Sequence, residues 1–221
     1  MIDTSEMNVV HVVFRREFWQ LPGLVRGVEP GDTTRAGVVA SHADFMLRWL
    51  SGHHSAEDVA LWPVLADRVP DHLAALMTEQ HQAAHEEIDA ACPLLTRWRS
   101  TADVVVRESL ARTLDRLHAV LMAHLDAEEQ QMLPVAAEML STREWEHFLS
   151  VGRSGRISDL PLSIGMLRYE TDPDRFRAML ADMPRPVRTV ILHLATRSFR
   201  AHSERVYRSS EPPRVTDRDV H

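Results

Sequence analysis

One fifteen-residue pattern occurs twice in this chain, and it constrains the fold more than any other feature. Residues 53–67 read HHSAEDVALWPVLAD and residues 124–138 read HLDAEEQQMLPVAAE. His53 aligns with His124, Glu57 with Glu128 and Pro63 with Pro134, each at an offset of 71 residues. One helix upstream, His11 aligns with His81 at an offset of 70. A pattern repeated at this length reads as one supersecondary unit built twice. The chain is therefore expected to hold two similar helical hairpins, about residues 5–68 and 71–140, related by a pseudo-two-fold axis.

Apolar periodicity says what the units are made of. Met7, Val10, His11, Phe14 and Phe18 fall at three- and four-residue steps, the stripe of an amphipathic helix. No stretch alternates as a half-buried strand does. The first helix is expected from about Ser5 to Gln20, ended by Leu21-Pro22-Gly23. The second is expected from near Thr33 to Val69 with a kink at Pro63, and the third from about Asp71 to Arg99 with a kink or break at Pro93. The fourth runs from about Ala102 to Leu140 and contains Pro134. Four long amphipathic helices with short connections predict an all-α, up-down-up-down four-helix bundle over residues 1–140. Residues 141–221 form a helical, Arg-rich C-terminal extension that packs on or caps the bundle. There Ser141-Thr142-Arg143-Glu144 spells a capping box. Gly152 to Gly155 reads as a loop, Pro173–Asp182 and Pro186–Tyr207 as helices, and the last dozen residues as frayed.

Composition narrows the class. Of 221 residues 44% are hydrophobic and 26% charged, which excludes a disordered chain. No apolar run approaches the ~20 residues that span a bilayer, and Met1 to Glu6 lack the basic and apolar regions of a secretory signal. A single cysteine, Cys92, allows no internal disulfide and suits a reducing, cytoplasmic location. The net charge of −7 argues against nucleic acid as a partner. That charge is uneven: residues 1–140 carry 11 Arg against 21 acids, residues 141–221 carry 14 Arg against 11. A basic extension beside an acidic body can dock on it.

Thirteen histidines are the outlying number, and their spacing carries the chemistry. Residues i and i+4 share a helix face. His53 with Glu57, His124 with Glu128, and His81 with His85 therefore each point one way, and His11 lies on the apolar stripe of the first helix. Each of the four helices sends an imidazole inward, and two also send a carboxylate. Such groups are costly to bury unless paired or bound to metal. Imidazole and carboxylate without thiolate suit Fe, Mn or Zn. Seven ligands exceed a structural zinc site. They fit two six-coordinate ions that share both carboxylates and a bridging oxygen. The ion with three imidazoles is then full, and the ion with two keeps one open position for a small ligand such as O2. The extra imidazole is His85, whose counterpart in the first hairpin falls at Phe14 or Arg15. The Glu-x-x-His signature of ferritin-like sites occurs only at Glu144–His147, outside the four-helix body, so that reading is rejected.

His11, His53-His54-Ser55-Ala56-Glu57, His81-x-x-x-His85 and His124-x-x-x-Glu128 together resemble the hemerythrin family, including its bacterial hemerythrin-like (HHE cation-binding) members. The resemblance covers about residues 5–140. It implies two non-haem Fe ions with a bridging oxo or hydroxo group, with Mn or Zn as substitutes. It implies that His81, His85 and His124 hold one iron and His11 and His53 the other, with Glu57 and Glu128 bridging. The invertebrate oxygen carriers use a longer His-to-Asp spacing in the last helix. The four-residue spacing here matches the bacterial branch and counts against a pure carrier. The expected function is activation of O2 or peroxide by an oxidoreductase acting on peroxide or a small organic substrate. The alternative is reversible O2 or NO binding by a carrier or sensor, or an iron-responsive regulator.

Other residues have blander readings. His54, about 100° round the helix from His53, is expected at the surface or behind the ligands. His42 lies eleven residues before His53, about 16 Å along the helix, and reads as a hydrogen-bonded core histidine. Asp58 and Glu129 read as solvated carboxylates, with orientation of a ligand imidazole the less expected role. His118 faces elsewhere, and His147, His193 and His202 have no assigned role. Phe14, Trp49, Trp62 and Met132 read as core, and Cys92 as a small buried hydrophobe.

Overall fold

A computed structural model describes residues 1–153, 156–181 and 183–214, and every regular element among them is helical. The long helices are α1 (Ser5–Arg26), α2 (Thr33–Ala60), α4 (Asp71–Thr101) and α5 (Val104–Ala127). Helix α1 packs on α2 and α5, α2 on α4, and α4 on α5, so the four form a closed ring of neighbours. No helix among the described residues is long and apolar enough to cross a membrane.

The prolines act differently from one another. Pro22 does not end α1, which continues through it to Arg26. Pro93 likewise lies inside an unbroken α4. The two prolines of the repeat do interrupt their helices. In the first hairpin α2 stops at Ala60, and the short α3 (Trp62–Leu65) restarts with Pro63 in its first turn. In the second, α5 widens into a π-helical turn, Glu128–Met132, before α6 (Leu133–Met139). Pro134 has no N–H for the carbonyl four residues back. The Leu133 amide reaches instead to the Glu128 carbonyl, five residues back. Helix starts follow side-chain chemistry: Asp32 and Asp103 accept from the free amides at the starts of α2 and α5.

The apolar core is in two parts. The larger includes Phe14, Phe18, Leu50, Ala84, Trp98 and Leu125. The smaller includes Met7, Ala56, Leu61, Met77, Met132 and Trp145. The polar residues of the repeat lie between these sets along every long helix: His11 between Met7 and Phe14, His53 between Leu50 and Ala56, His81 between Met77 and Ala84, and Glu128 between Leu125 and Met132.

Beyond residue 140 the chain builds α7 (Thr142–Gly152), α8 (Leu160–Glu170), α9 (Pro173–Met179) and α10 (Arg185–Tyr207). The Ser141–Glu144 capping box forms at the start of α7. Helix α8, which periodicity did not reveal, packs on α1 and α10. The expected loop at 152–155, the end of the helix expected at Pro173–Asp182 and the expected frayed tail fall partly on residues 154, 155, 182 and 215–221, outside the described residues. Helix α7 lies on α2, and its Trp145 and Phe148 complete the smaller core. Helix α10 crosses α8 at Gly165, where an added Cβ would stand 2.5 Å from the Ala195 carbonyl oxygen and 2.7 Å from the Phe199 Cβ.

A second buried polar group joins the extension to the body. On α1, Glu17 accepts from Tyr207 of α10 and pairs with Arg16. His42 of α2 stands 3.0 Å from Glu17 and 3.1 Å from His202 of α10. The Arg16 guanidinium lies 2.9 Å from Glu170 and among the rings of Tyr169, Phe199 and Tyr207. His42 is thus a buried, hydrogen-bonded histidine. Cys92, expected inside, is exposed on α4.

Candidate metal centre

The polar layer between the two cores is fully built from the repeat. Glu57 directs one oxygen to each side: Oε1 lies 3.0 Å from His53 Nε2, and Oε2 lies 3.2 Å from His81 Nε2. Glu128 Oε2 lies 3.4 Å from His11 Nε2 and 3.6 Å from His124 Nε2. Each carboxylate therefore faces an imidazole of either hairpin. Both oxygens of Glu57, both of Glu128, and the Nε2 atoms of His81 and His124 are buried without a hydrogen-bond partner. Buried polar atoms are nearly always paired. Lone pairs that converge at close range and pair with nothing could hold a cation.

Two groups of side chains place their donor atoms within 4.8 Å of one another: His11, His53, Glu57 and Glu128, and His54, Glu57, His81 and His124. Of the seven residues singled out from sequence, six lie in these groups. His85 lies in neither; it is half-buried, its ring edge-on to His54 at a centroid distance of 6.0 Å. His54 is the correction. Expected at the surface or behind the ligands, it is fully buried, its ring packed against His81 of α4 and His124 of α5. The available signal was Glu57 three residues on, since i and i+3 also share a helix face.

The outer faces of the imidazoles are held in a crossed pattern. His81 Nδ1 donates to Asp58 at 2.8 Å, and His11 Nδ1 donates to Glu129 at 2.8 Å. Asp58 and Glu129 are repeat mates, each directly after its Glu, and each reaches the histidine of the opposite hairpin. They are more than solvated carboxylates, because such contacts fix the tautomer that turns Nε2 inward. His124 Nδ1 meets the Gln80 Oε1 at 3.3 Å, a neutral partner that sequence reasoning missed. The crossing is not symmetric, since Arg15 stands 3.3 Å from Glu129 and also bonds Asp126. At the place where the first hairpin lacks a second histidine, Phe14 packs edge-on against His53 and Trp49.

Burial sets the electrostatics. It holds His53, His54 and His124 well below the ordinary histidine range, helped by their neighbouring imidazoles, so the three rings are neutral at pH 7. It raises Glu57 well above the carboxylate range and Glu128 to about 8, each carboxyl aggravated by a neighbouring acid. Burial also acts upward on Glu129, but the His11 hydrogen bond and the Arg15 charge prevail and pull it below the usual range. At the inner carboxyls burial thus outweighs the favourable neighbours, and a divalent ion would favour their charged forms. His118 is partly buried outside both groups, and His147 and His193 are exposed.

Fold and site together define a helical cation-binding protein whose donors are imidazoles and carboxylates. Residues 3–136, more than half of the chain, match the family model described as the hemerythrin HHE cation-binding domain. The chain belongs to the hemerythrin family. No curated protein and no solved structure matches it.

Proposed function

We propose that this protein holds two non-haem iron ions in a four-helix bundle of hemerythrin type and uses them to bind and activate O2 or peroxide. The proposed outcome is oxidation of a small molecule or turnover of peroxide itself. The observation that carries the reading is the set of buried donor atoms without partners, in two groups that share Glu57. His11, His53, Glu57, His81, His124 and Glu128 are the residues that would hold the ions. Iron bound there would supply the redox chemistry and a position for a small oxidant.

The chain's own residues do the rest. Glu57 and Glu128 tie the two groups into one unit, since each faces an imidazole of both hairpins. The side of His11 and His53 is the one that would receive the small ligand, since Phe14 stands there in place of a second histidine. Its apolar neighbour is Phe14, edge-on to His53 and backed by Trp49, a setting that favours a nonpolar guest such as O2. Asp58 and Glu129 hold the rings in place.

The test is oxygen exposure of the anaerobic, Fe(II)-loaded protein, followed by visible absorption through cycles of vacuum and oxygen. Irreversible oxidation on first exposure, or sustained consumption of added peroxide, is the expected result. A colour that fades under vacuum and returns with oxygen assigns the protein to reversible O2 carriage or sensing instead. Failure to bind iron would remove the reading altogether.

A further inference from the structure

Two adjacent histidines on α2 enter different donor groups. His53 joins His11 and Glu128; His54 joins His81 and His124; Glu57 serves both. Successive helical residues diverge by about 100°, so a His-His pair can straddle a carboxylate one turn further on. We propose that His54 is a metal ligand, the third imidazole beside His81 and His124, and that His85 is not required to hold the ion. This rests on the two-metal reading above and changes its ligand set, which the family resemblance fills with His85.

Three observations support the exchange. His54 is fully buried, and neither ring nitrogen has a hydrogen-bond partner. A buried histidine with a structural role binds at least one neighbour, as His42 does through both nitrogens. The His54 ring also lies in the middle of the donor set. It stacks on His81 at 4.2 Å and 16°, and meets His124 edge-on at 5.0 Å. His85, by contrast, is half-buried and belongs to neither group, its ring edge-on to His54 at 6.0 Å. The inward Nε2 atoms of His81 and His124 share the His54 side of the layer, so the three imidazoles come from three different helices, α2, α4 and α5. Taking the third from α2 leaves His85, half-buried on α4, outside both groups.

The experiment uses the full-length protein with Co(II), whose absorption reports coordination without O2 chemistry, in wild type, His54→Leu and His85→Leu. Expected are two ions in wild type and in His85→Leu, and loss of one ion, or at least a tenfold weaker second step, in His54→Leu. Retention of both ions by His54→Leu overturns the proposal. So does loss of an ion in both variants, because His85 would then be a ligand. Should His54→Leu fail to fold by circular dichroism, nitrogen-15 histidine spectra of wild type titrated with Zn(II) decide. A ring nitrogen of His54 must shift with the second equivalent while those of His85 stay fixed, and the converse overturns the assignment. No ion bound by wild type is a different failure, that of the metal reading itself.

Discussion

At the residue scale the crossed carboxylates carry the sharpest prediction. Asp58 and Glu129 lie outside both donor groups, yet each accepts the Nδ1 proton of an inward-facing histidine. Asp58→Asn and Glu129→Gln preserve shape and remove charge. Each should weaken metal binding by on the order of 10–100-fold while leaving the metal-free melting temperature within a degree or two. Competition titration against a chelator measures it, and unchanged affinity in both variants would reduce these residues to surface acids. Most of the site was legible in the sequence because its geometry is local: His-x-x-x-Glu on a helix fixes two side chains on one face whatever surrounds them. His54 was not, because its burial is set by α4 and α5, which bring His81 and His124 against its ring. Nor was the role of Asp58 and Glu129, since the partner of each lies on another helix.

At the scale of elements, apolar period marked each long helix of the body, and prolines were the weak point of the reading. Pro22 and Pro93 sit in helices packed along their length, whereas Pro63 and Pro134 coincide with the turn after the ligands. Helix α8 escaped because its sequence, LPLSIGMLRYE, has no clear polar face. Its packing depends on Gly165. Gly165→Ala puts a methyl carbon against the backbone of α10, which cannot yield as a side-chain tip would. It should cost about 1–3 kcal/mol and expose α8–α10 to protease while the metal sites stay loaded. Equal protease resistance in both proteins would contradict that close approach. The capping box gives a milder test on α7. Ser141→Ala removes the acceptor for the Glu144 amide and should cost about 1 kcal/mol in chemical denaturation. The Arg68–Glu144 ion pair, partly exposed, should restore little of that loss.

At the scale of the whole molecule the extension is held by charge as much as by apolar contact, and this makes its docking acid-sensitive. Burial and the neighbouring His42 push His202 down to about 3. Burial alone would raise Glu17, but Arg16 and the hydrogen bonds from His42 and Tyr207 bring it to about 2. Both groups therefore bind fewer protons folded than unfolded. Stability from His202 is complete above about 6.5, its ordinary value, and is lost as pH falls towards 3. Stability from Glu17 is complete above about 4.5 and is lost as pH falls towards 2. The charged and titratable groups around them are Arg16 on α1, His42 on α2, Glu170 on α8, and Arg205 and Tyr207 on α10. Arg16 stays charged, so acid converts a neutral cluster into one with excess positive charge between the body and α10. Hydrogen-exchange protection of residues 195–207, corrected for intrinsic rate, should then fall steadily from pH 6.5 to 4, while that of α4 and α5 holds. Tyr207→Phe removes one donor to the buried Glu17 carboxylate, a loss of about 1–3 kcal/mol, and should move the fall to higher pH. Protection of α10 that stays flat across this range in both proteins would mean that the apolar contacts of Ala195, Phe199 and Val206 hold the extension without help from the buried charges.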